Sequence, residues 1–106
     1  MTSAPRWMSE LLSKRSRWTK GAFARRGDGA SVSAFDQSAR SWCLLGAASK
    51  CGQGDEFLAW WAKHHRGSHR LGLTGWNDEA GRTFKEVRKV IAQFESTKPT
   101  RRKERK

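Results

Sequence analysis

The sequence predicts a small all-α domain of about four helices over residues 1–97, followed by a disordered basic tail at residues 98–106. Three observations lead to this prediction. Apolar residues recur at helical spacing in several stretches. Ser, Thr and Asp residues precede these stretches, as helix caps do. A chain of 106 residues has the length of one domain.

The first predicted helix covers residues 5–17, with Ser3 as its cap. Its apolar side chains lie on one face: Trp7, Met8, Leu11 and Leu12. If this helix continues, Lys14, Arg17 and Lys20 share one exposed face. The RGDG segment at 26–29 predicts a turn, and Val32 predicts a brief extended stretch after it.

The second predicted helix covers residues 34–51 and is central to the domain. Ser33 and Asp36 resemble a capping box. The apolar residues that follow have helical spacing: Phe35, Ala39, Trp42, Cys43 and Ala47. Glycine inside a helix costs about 1 kcal/mol relative to alanine, so we expect Gly46 to have a packing reason. Gly52 ends this helix.

The third predicted helix covers residues 56–66, with Asp55 as its cap and Trp61 on its buried face. A long loop at 68–82 follows. The fourth helix begins at a capping box formed by Thr83 and Glu86. Its apolar residues then follow the helical period: Val87, Val90, Ile91 and Phe94.

The formal net charge of +12 is concentrated at the two ends of the chain. Residues 1–27 contain seven basic residues and one acidic residue, and residues 98–106 contain six and one. Residues 28–97 are nearly neutral, with nine basic and eight acidic residues. Charge of this kind bears on association with polyanions and says little about the fold.

Cys43 and Cys51 are predicted to be buried thiols. Eight residues of helix separate them by about 12 Å along the axis, and a disulfide needs Cα atoms within about 7 Å. The pairing stays possible only if the helix breaks at Gly46. The N-terminus has no secretory apolar region, and no apolar run has membrane-spanning length. These features predict a cytoplasmic protein that does not bind membranes.

No residue pattern in the chain predicts metal binding or catalysis. His65 and His69 have the spacing that places two imidazoles on one helix face, but Gly67 between them breaks a helix. Helix-end histidines in solvent are therefore the favoured interpretation. No nucleophile elbow, phosphate-binding loop or paired carboxylates with a base occur. We therefore expect no enzyme activity, no cofactor and no metal.

Trp76, Asn77, Asp78 and Arg82 form the one polar cluster that could be a site. The favoured interpretation is structural: Asn77 and Asp78 hold the long loop, and Asp78 pairs with Arg82. In the functional interpretation, Trp76 and Arg82 contact a partner.

Three segments occur in a familiar order: WTKGAFARRGDG at 18–29, ARSWCLLGA at 39–47 and WNDEAGRTFKEV at 76–87. With them, residues 7–94 resemble an uncharacterised family, a domain of unknown function of small phage, prophage and bacterial proteins. The resemblance implies a single domain in a phage or bacterial context. It implies no catalytic residue.

The basic ends predict a non-enzymatic protein that binds nucleic acid or a ribonucleoprotein. The predicted phosphate contacts are the basic residues of both ends: Arg6, Lys14, Arg15, Arg17, Lys20, Arg25, Arg26, Arg101, Arg102, Lys103 and Arg105. The alternative is an anti-CRISPR-like phage inhibitor of a host defence protein, because Trp and Arg are favoured at protein interfaces. A further alternative is that the charge has no binding role and serves solubility alone.

Overall fold

The structure, a computed structural model, describes residues 7–64 and 72–97. It corrects the all-α prediction, because the described residues form five α-helices and a three-stranded antiparallel sheet. The fold is mixed α/β. The predicted tail at 98–106 lies outside the described residues.

The sheet has the order β2-β1-β3, with β1 at Ala24–Arg26, β2 at Ser31–Val32 and β3 at Ala39–Trp42. Ala24 lies opposite both Val32 and Trp42, and these side chains form the inner face. The predicted turn at 26–29 is confirmed: Gly29 has a φ of 91°, and its N–H donates to the Arg26 carbonyl at 2.9 Å. The extended stretch at Val32 is confirmed as β2.

The predicted helix at 34–51 is wrong over its first half. Residues 39–42 form β3, and α2 covers only Leu44–Lys50. The side chains of Ser33 and Asp36 accept hydrogen bonds from backbone N–H groups two residues on, so they form turns and not a capping box. Phe35, which the predicted stripe would bury, is 63% exposed. Cys43 is the N-cap of α2, and its sulfur accepts from the Gly46 N–H at 3.3 Å.

The first helix is shorter than predicted. α1 covers Met8–Leu11, and a separate 3-10 turn follows at Arg15–Arg17. The exposed face expected for Lys14, Arg17 and Lys20 therefore does not form as a helix face. The apolar stripe is confirmed, since all four of its side chains are buried: Trp7, Met8, Leu11 and Leu12. The predicted cap at Ser3 lies outside the described residues.

α3 covers Gly54–His64 and buries Trp61, as expected. The predicted loop at 68–82 contains a helix, α4, at Gly72–Asp78, because Leu73 and Asn77 are buried one turn apart. α5 covers Phe84–Glu95, and its capping box between Thr83 and Glu86 is confirmed. No helix among the described residues is long and apolar enough to cross a membrane.

The core lies between the inner face of the sheet, α1 and the buried sides of α2, α3 and α5. Phe57 of α3 and Phe94 of α5 meet edge to face, with ring centroids 4.9 Å apart. Gly46 has the packing reason that its position predicts: a Cβ there would lie 2.0 Å from the Phe23 carbonyl oxygen. Both cysteines are free thiols, Cys43 buried and Cys51 partly buried.

Candidate nucleic-acid interface

Residues 9–18 run antiparallel along α5, and three contacts define the register. The Ser9 N–H donates to Glu95 Oε2 at 3.0 Å, near the end of α5. Arg88 Nη1 donates to the Ser13 carbonyl at 3.3 Å. The Trp18 and Phe84 rings, with centroids 6.2 Å apart, meet at the start of α5. Ser13 and Trp18, which flank residues 14–17, thus both contact the N-terminal half of α5, while the 3-10 turn between them packs against β3.

Because Ser13 and Trp18 both contact α5, this packing brings two basic groups from distant parts of the chain near each other. Lys14, Arg15 and Arg17 come from the basic N-terminal part of the chain. Lys85, Arg88 and Lys89 come from the exposed side of α5. We call these six residues the α5 basic surface. Its charges are close neighbours on α5, because residues three and four apart share a helix side.

Most of the α5 basic surface is available to a ligand. Within the described residues, the side chains of Lys14, Arg15, Arg17, Lys85 and Lys89 have no hydrogen-bond or ion-pair partner. Arg88 donates to Ser13, and its guanidinium also lies 5.7 Å from the Phe84 ring. A surface of this kind can bind phosphates by displacing counterions, without reading base edges.

Other predicted phosphate contacts have partners inside the protein. Arg25 donates to Thr19 Oγ1 and to the Lys20 and Gly29 carbonyls at 2.9–3.0 Å, so its guanidinium stabilises the 19–29 loop. Lys20 Nζ donates to the Glu79 carbonyl at 2.9 Å and lies 5.5 Å from the Trp18 ring. Arg26 pairs with Asp28 at 3.0 Å.

The remaining predicted contacts lie outside the described residues: Arg6, Arg101, Arg102, Lys103 and Arg105. Sequence reasoning missed Lys85, Arg88 and Lys89. Counting charge by segment concealed them, because acidic residues elsewhere in 28–97 offset them. A sequence signal for them does exist, because they lie on the polar side of an amphipathic helix that the sequence predicts well.

Arg82 is held by its own neighbours. Its guanidinium lies 3.8 Å from the centre of the Trp76 ring, and Nε donates to the Trp76 carbonyl at 2.9 Å. It also pairs with Glu79, and with Glu86 at 3.4 Å. The expected pair between Asp78 and Arg82 is therefore replaced by pairs between Arg82 and the two glutamates. These contacts favour the structural interpretation of the cluster.

Asn77 connects the three motif segments at one buried point. Its Oδ1 accepts from Trp18 Nε1 at 2.8 Å and from the Leu44 N–H at 3.1 Å. Its Nδ2 donates to the Thr19 carbonyl at 3.1 Å and to Asp78 Oδ1 at 2.9 Å. Both lone pairs and both amide protons are used. The three segments thus define the scaffold that presents the α5 basic surface.

The thiols are poorly suited to nucleophilic chemistry. Burial raises the pKa of the Cys43 thiol, and burial together with Glu95 and Glu10 raises the pKa of Cys51 to about 12. The thiolate is the reactive form, so both groups are held in the unreactive one. Among residues 7–64 and 72–97, no three His, Cys, Asp or Glu side chains are grouped as metal ligands.

The fold and this surface define a small mixed α/β protein with a basic face. The chain belongs to a family of unknown function, DUF6197, which matches residues 5–95. Searches of curated proteins and of solved structures each found no significant match. The expectation of an uncharacterised domain is therefore confirmed.

Proposed function

We propose that this protein binds nucleic acid, alone or within a ribonucleoprotein, without catalysing a reaction. The observation that supports the proposal is the antiparallel packing of residues 9–18 on α5, which joins two basic groups into one surface. Arg6 and the basic residues of the 101–106 segment are further phosphate contacts in this proposal. Such a protein acts in the cytoplasm of a bacterial host cell.

The expected binding mode is contact with the phosphate backbone. Lysine and arginine side chains attract phosphates and release condensed counterions, so affinity falls as salt rises. The α5 basic surface presents Lys and Arg side chains, and phosphate contacts carry no sequence information, so we expect DNA and RNA of different sequence to bind with similar affinity.

A titration of fluorescent DNA and RNA with the full chain, at two salt concentrations, tests the proposal. Proteins with six or more phosphate contacts lose about a thousandfold in affinity between about 50 and 200 mM salt. We expect binding at the lower salt and a loss of this order at the higher. No binding at the lower salt would remove the proposal.

A second candidate function is inhibition of a host defence protein by a phage or prophage protein. Three exposed apolar side chains favour a protein partner, because phosphates do not bind them: Phe23, Phe35 and Leu58. A pull-down from bacterial lysate, with and without nuclease, separates the two functions. A host defence protein that stays bound after nuclease treatment supports inhibition, and loss of every partner supports nucleic-acid binding.

A further inference from the structure

The large exposed apolar side chains of the described residues line one groove. Phe23 is 54% exposed, Phe35 63% and Leu58 41%, and all three line a groove of about 430 Å³. Exposed apolar side chains scattered singly are ordinary, whereas a contiguous set marks a contact surface. We call this depression the Phe23 groove.

The fold holds the Phe23 groove open. Phe23 precedes β1, Phe35 lies between β2 and β3, and Leu58 lies on α3. The Phe23 carbonyl accepts from the Cys43 N–H at 3.1 Å and lies against Gly46. The backbone beneath Phe23 is therefore held by the fold, so binding need order only the exposed side chain and not the backbone.

The charge of the groove is opposite to the charge of the chain. Asp55 is the one charged residue among its lining residues. Phe23 also borders a second pocket, of about 410 Å³, in which Asp78 is the one charged lining residue. The formal net charge of the chain is +12. Among the described residues that line these two pockets, each pocket thus has one carboxylate and no Lys or Arg.

This charge selects the occupant. Nucleic acid is repelled by Asp55 and Asp78. A second copy of the chain, in a twofold interface, places the same patch on both sides and brings like carboxylates together. A basic partner matches the carboxylates, and apolar side chains match Phe23, Phe35 and Leu58.

We propose that the Phe23 groove binds a segment of another protein that carries large apolar side chains beside Lys or Arg residues. The binding residues differ from those of the α5 basic surface, so the proposal is independent of nucleic-acid binding. It rests on the second candidate function only in taking a protein as the partner.

A peptide-display selection against the full chain tests this proposal. Peptides are first depleted on a Phe35→Ser, Leu58→Ser variant, which removes those that bind elsewhere. Both side chains are exposed, so the variant should keep the circular dichroism spectrum and the nucleic-acid affinity of the parent. We expect groove-dependent peptides with at least two large apolar residues and a net positive charge. A basic chain attracts acidic peptides in general, so a preference for basic peptides indicates binding at the groove.

The best peptide is then synthesised and measured by fluorescence anisotropy. Phe35→Ser should weaken its binding by about tenfold or more, as truncation of an interface anchor does. Asp55→Lys should also weaken it, and Gln93→Ser, on the exposed side of α5, should not. Loss of peptide binding in Asp55→Lys, with nucleic-acid binding that does not weaken, separates this proposal from the proposed function.

Three results would overturn the proposal. One is a selection that yields no groove-dependent peptide. Another is a set of groove-dependent peptides that are neutral or acidic. The third is a dimer in sedimentation that Phe35→Ser dissociates, because the occupant is then a second copy of the chain.

Discussion

The amide of Asn77 joins the segment before β1, the start of α2 and the end of α4. It is fully buried and makes four hydrogen bonds. Its partners are the Trp18 indole, the Leu44 N–H, the Thr19 carbonyl and the Asp78 side chain. A buried donor or acceptor that loses its partner costs about 1–3 kcal/mol. Asn77 therefore stabilises the fold by satisfying buried groups from three parts of the chain.

Asn77→Leu should destabilise the protein by about 3 kcal/mol or more, because it leaves the Leu44 N–H, the Trp18 Nε1–H and the Thr19 carbonyl unpaired. Urea unfolding followed by tryptophan fluorescence measures the change. Gln93→Leu also replaces an amide side chain with leucine, at an exposed position of α5, and should stay within about 0.5 kcal/mol of the parent. Equal stability of the two variants would contradict the role of Asn77.

Gly46→Ala tests the close approach of α2 to the Phe23 backbone. In an unobstructed helix, this change stabilises by about 1 kcal/mol. Here the new Cβ would lie 2.0 Å from the Phe23 oxygen, and overpacking costs about 1–3 kcal/mol. We expect a lower free energy of unfolding in urea. The sign of the change therefore distinguishes a close approach of α2 to Phe23 from an unobstructed helix. A stabilised variant would show that α2 and Phe23 do not meet.

At the scale of elements, α5 organises the domain. Its buried side packs against Phe57 through Phe94, and its outer side carries half of the α5 basic surface. Its N-terminus is closed by Thr83 and Glu86, which exchange hydrogen bonds at 2.9 and 3.2 Å. The hydrogen bond from the Thr83 N–H, followed by the charge of Arg82, holds the pKa of Glu86 below its ordinary value of 4.5.

The cap of α5 should make stability depend on pH. A carboxyl whose pKa is lowered by folding contributes stability above its unfolded pKa, and this contribution is lost as pH falls through the folded value. Glu86→Gln should therefore lower the melting temperature at pH 7. The difference from the parent should shrink as pH falls below the unfolded value of 4.5. Melting curves between pH 7 and 2.5 measure it, and a difference that grows toward low pH would contradict the cap.

Local signals predicted α5, α3, the turn at 26–29 and the buried stripe of α1. These signals failed where pairing with residues elsewhere in the chain determines the secondary structure. Ala39 and Trp42 fit a helix stripe, but β1, far away in sequence, pairs with them and makes a strand. Gly72 and Gly75 suggest a loop, but burial of Leu73 and Asn77 stabilises α4. Half of the α5 basic surface was predicted, and its α5 half depends on packing that no local pattern shows.

At the scale of the whole molecule, the fold redistributes the charge. By segment, residues 28–97 are nearly neutral. In space, Lys85, Arg88 and Lys89 join Lys14, Arg15 and Arg17, while Asp55 and Asp78 lie beside Phe23. One face is therefore suited to phosphates, and the Phe23 groove is suited to a basic, apolar partner.

The most direct test compares two triple variants that remove the same charge. One carries Lys14→Ala, Lys85→Ala and Lys89→Ala in the α5 basic surface, and the other carries Arg40→Ala, Lys50→Ala and Lys63→Ala elsewhere. Fluorescence anisotropy with a DNA duplex at several salt concentrations gives the affinity and its salt dependence. The slope of log affinity against log salt should fall in magnitude by about 3 for the first variant, because about one counterion is released per contact. The second variant should keep the parent slope, and equal effects of the two variants would contradict a localised nucleic-acid surface.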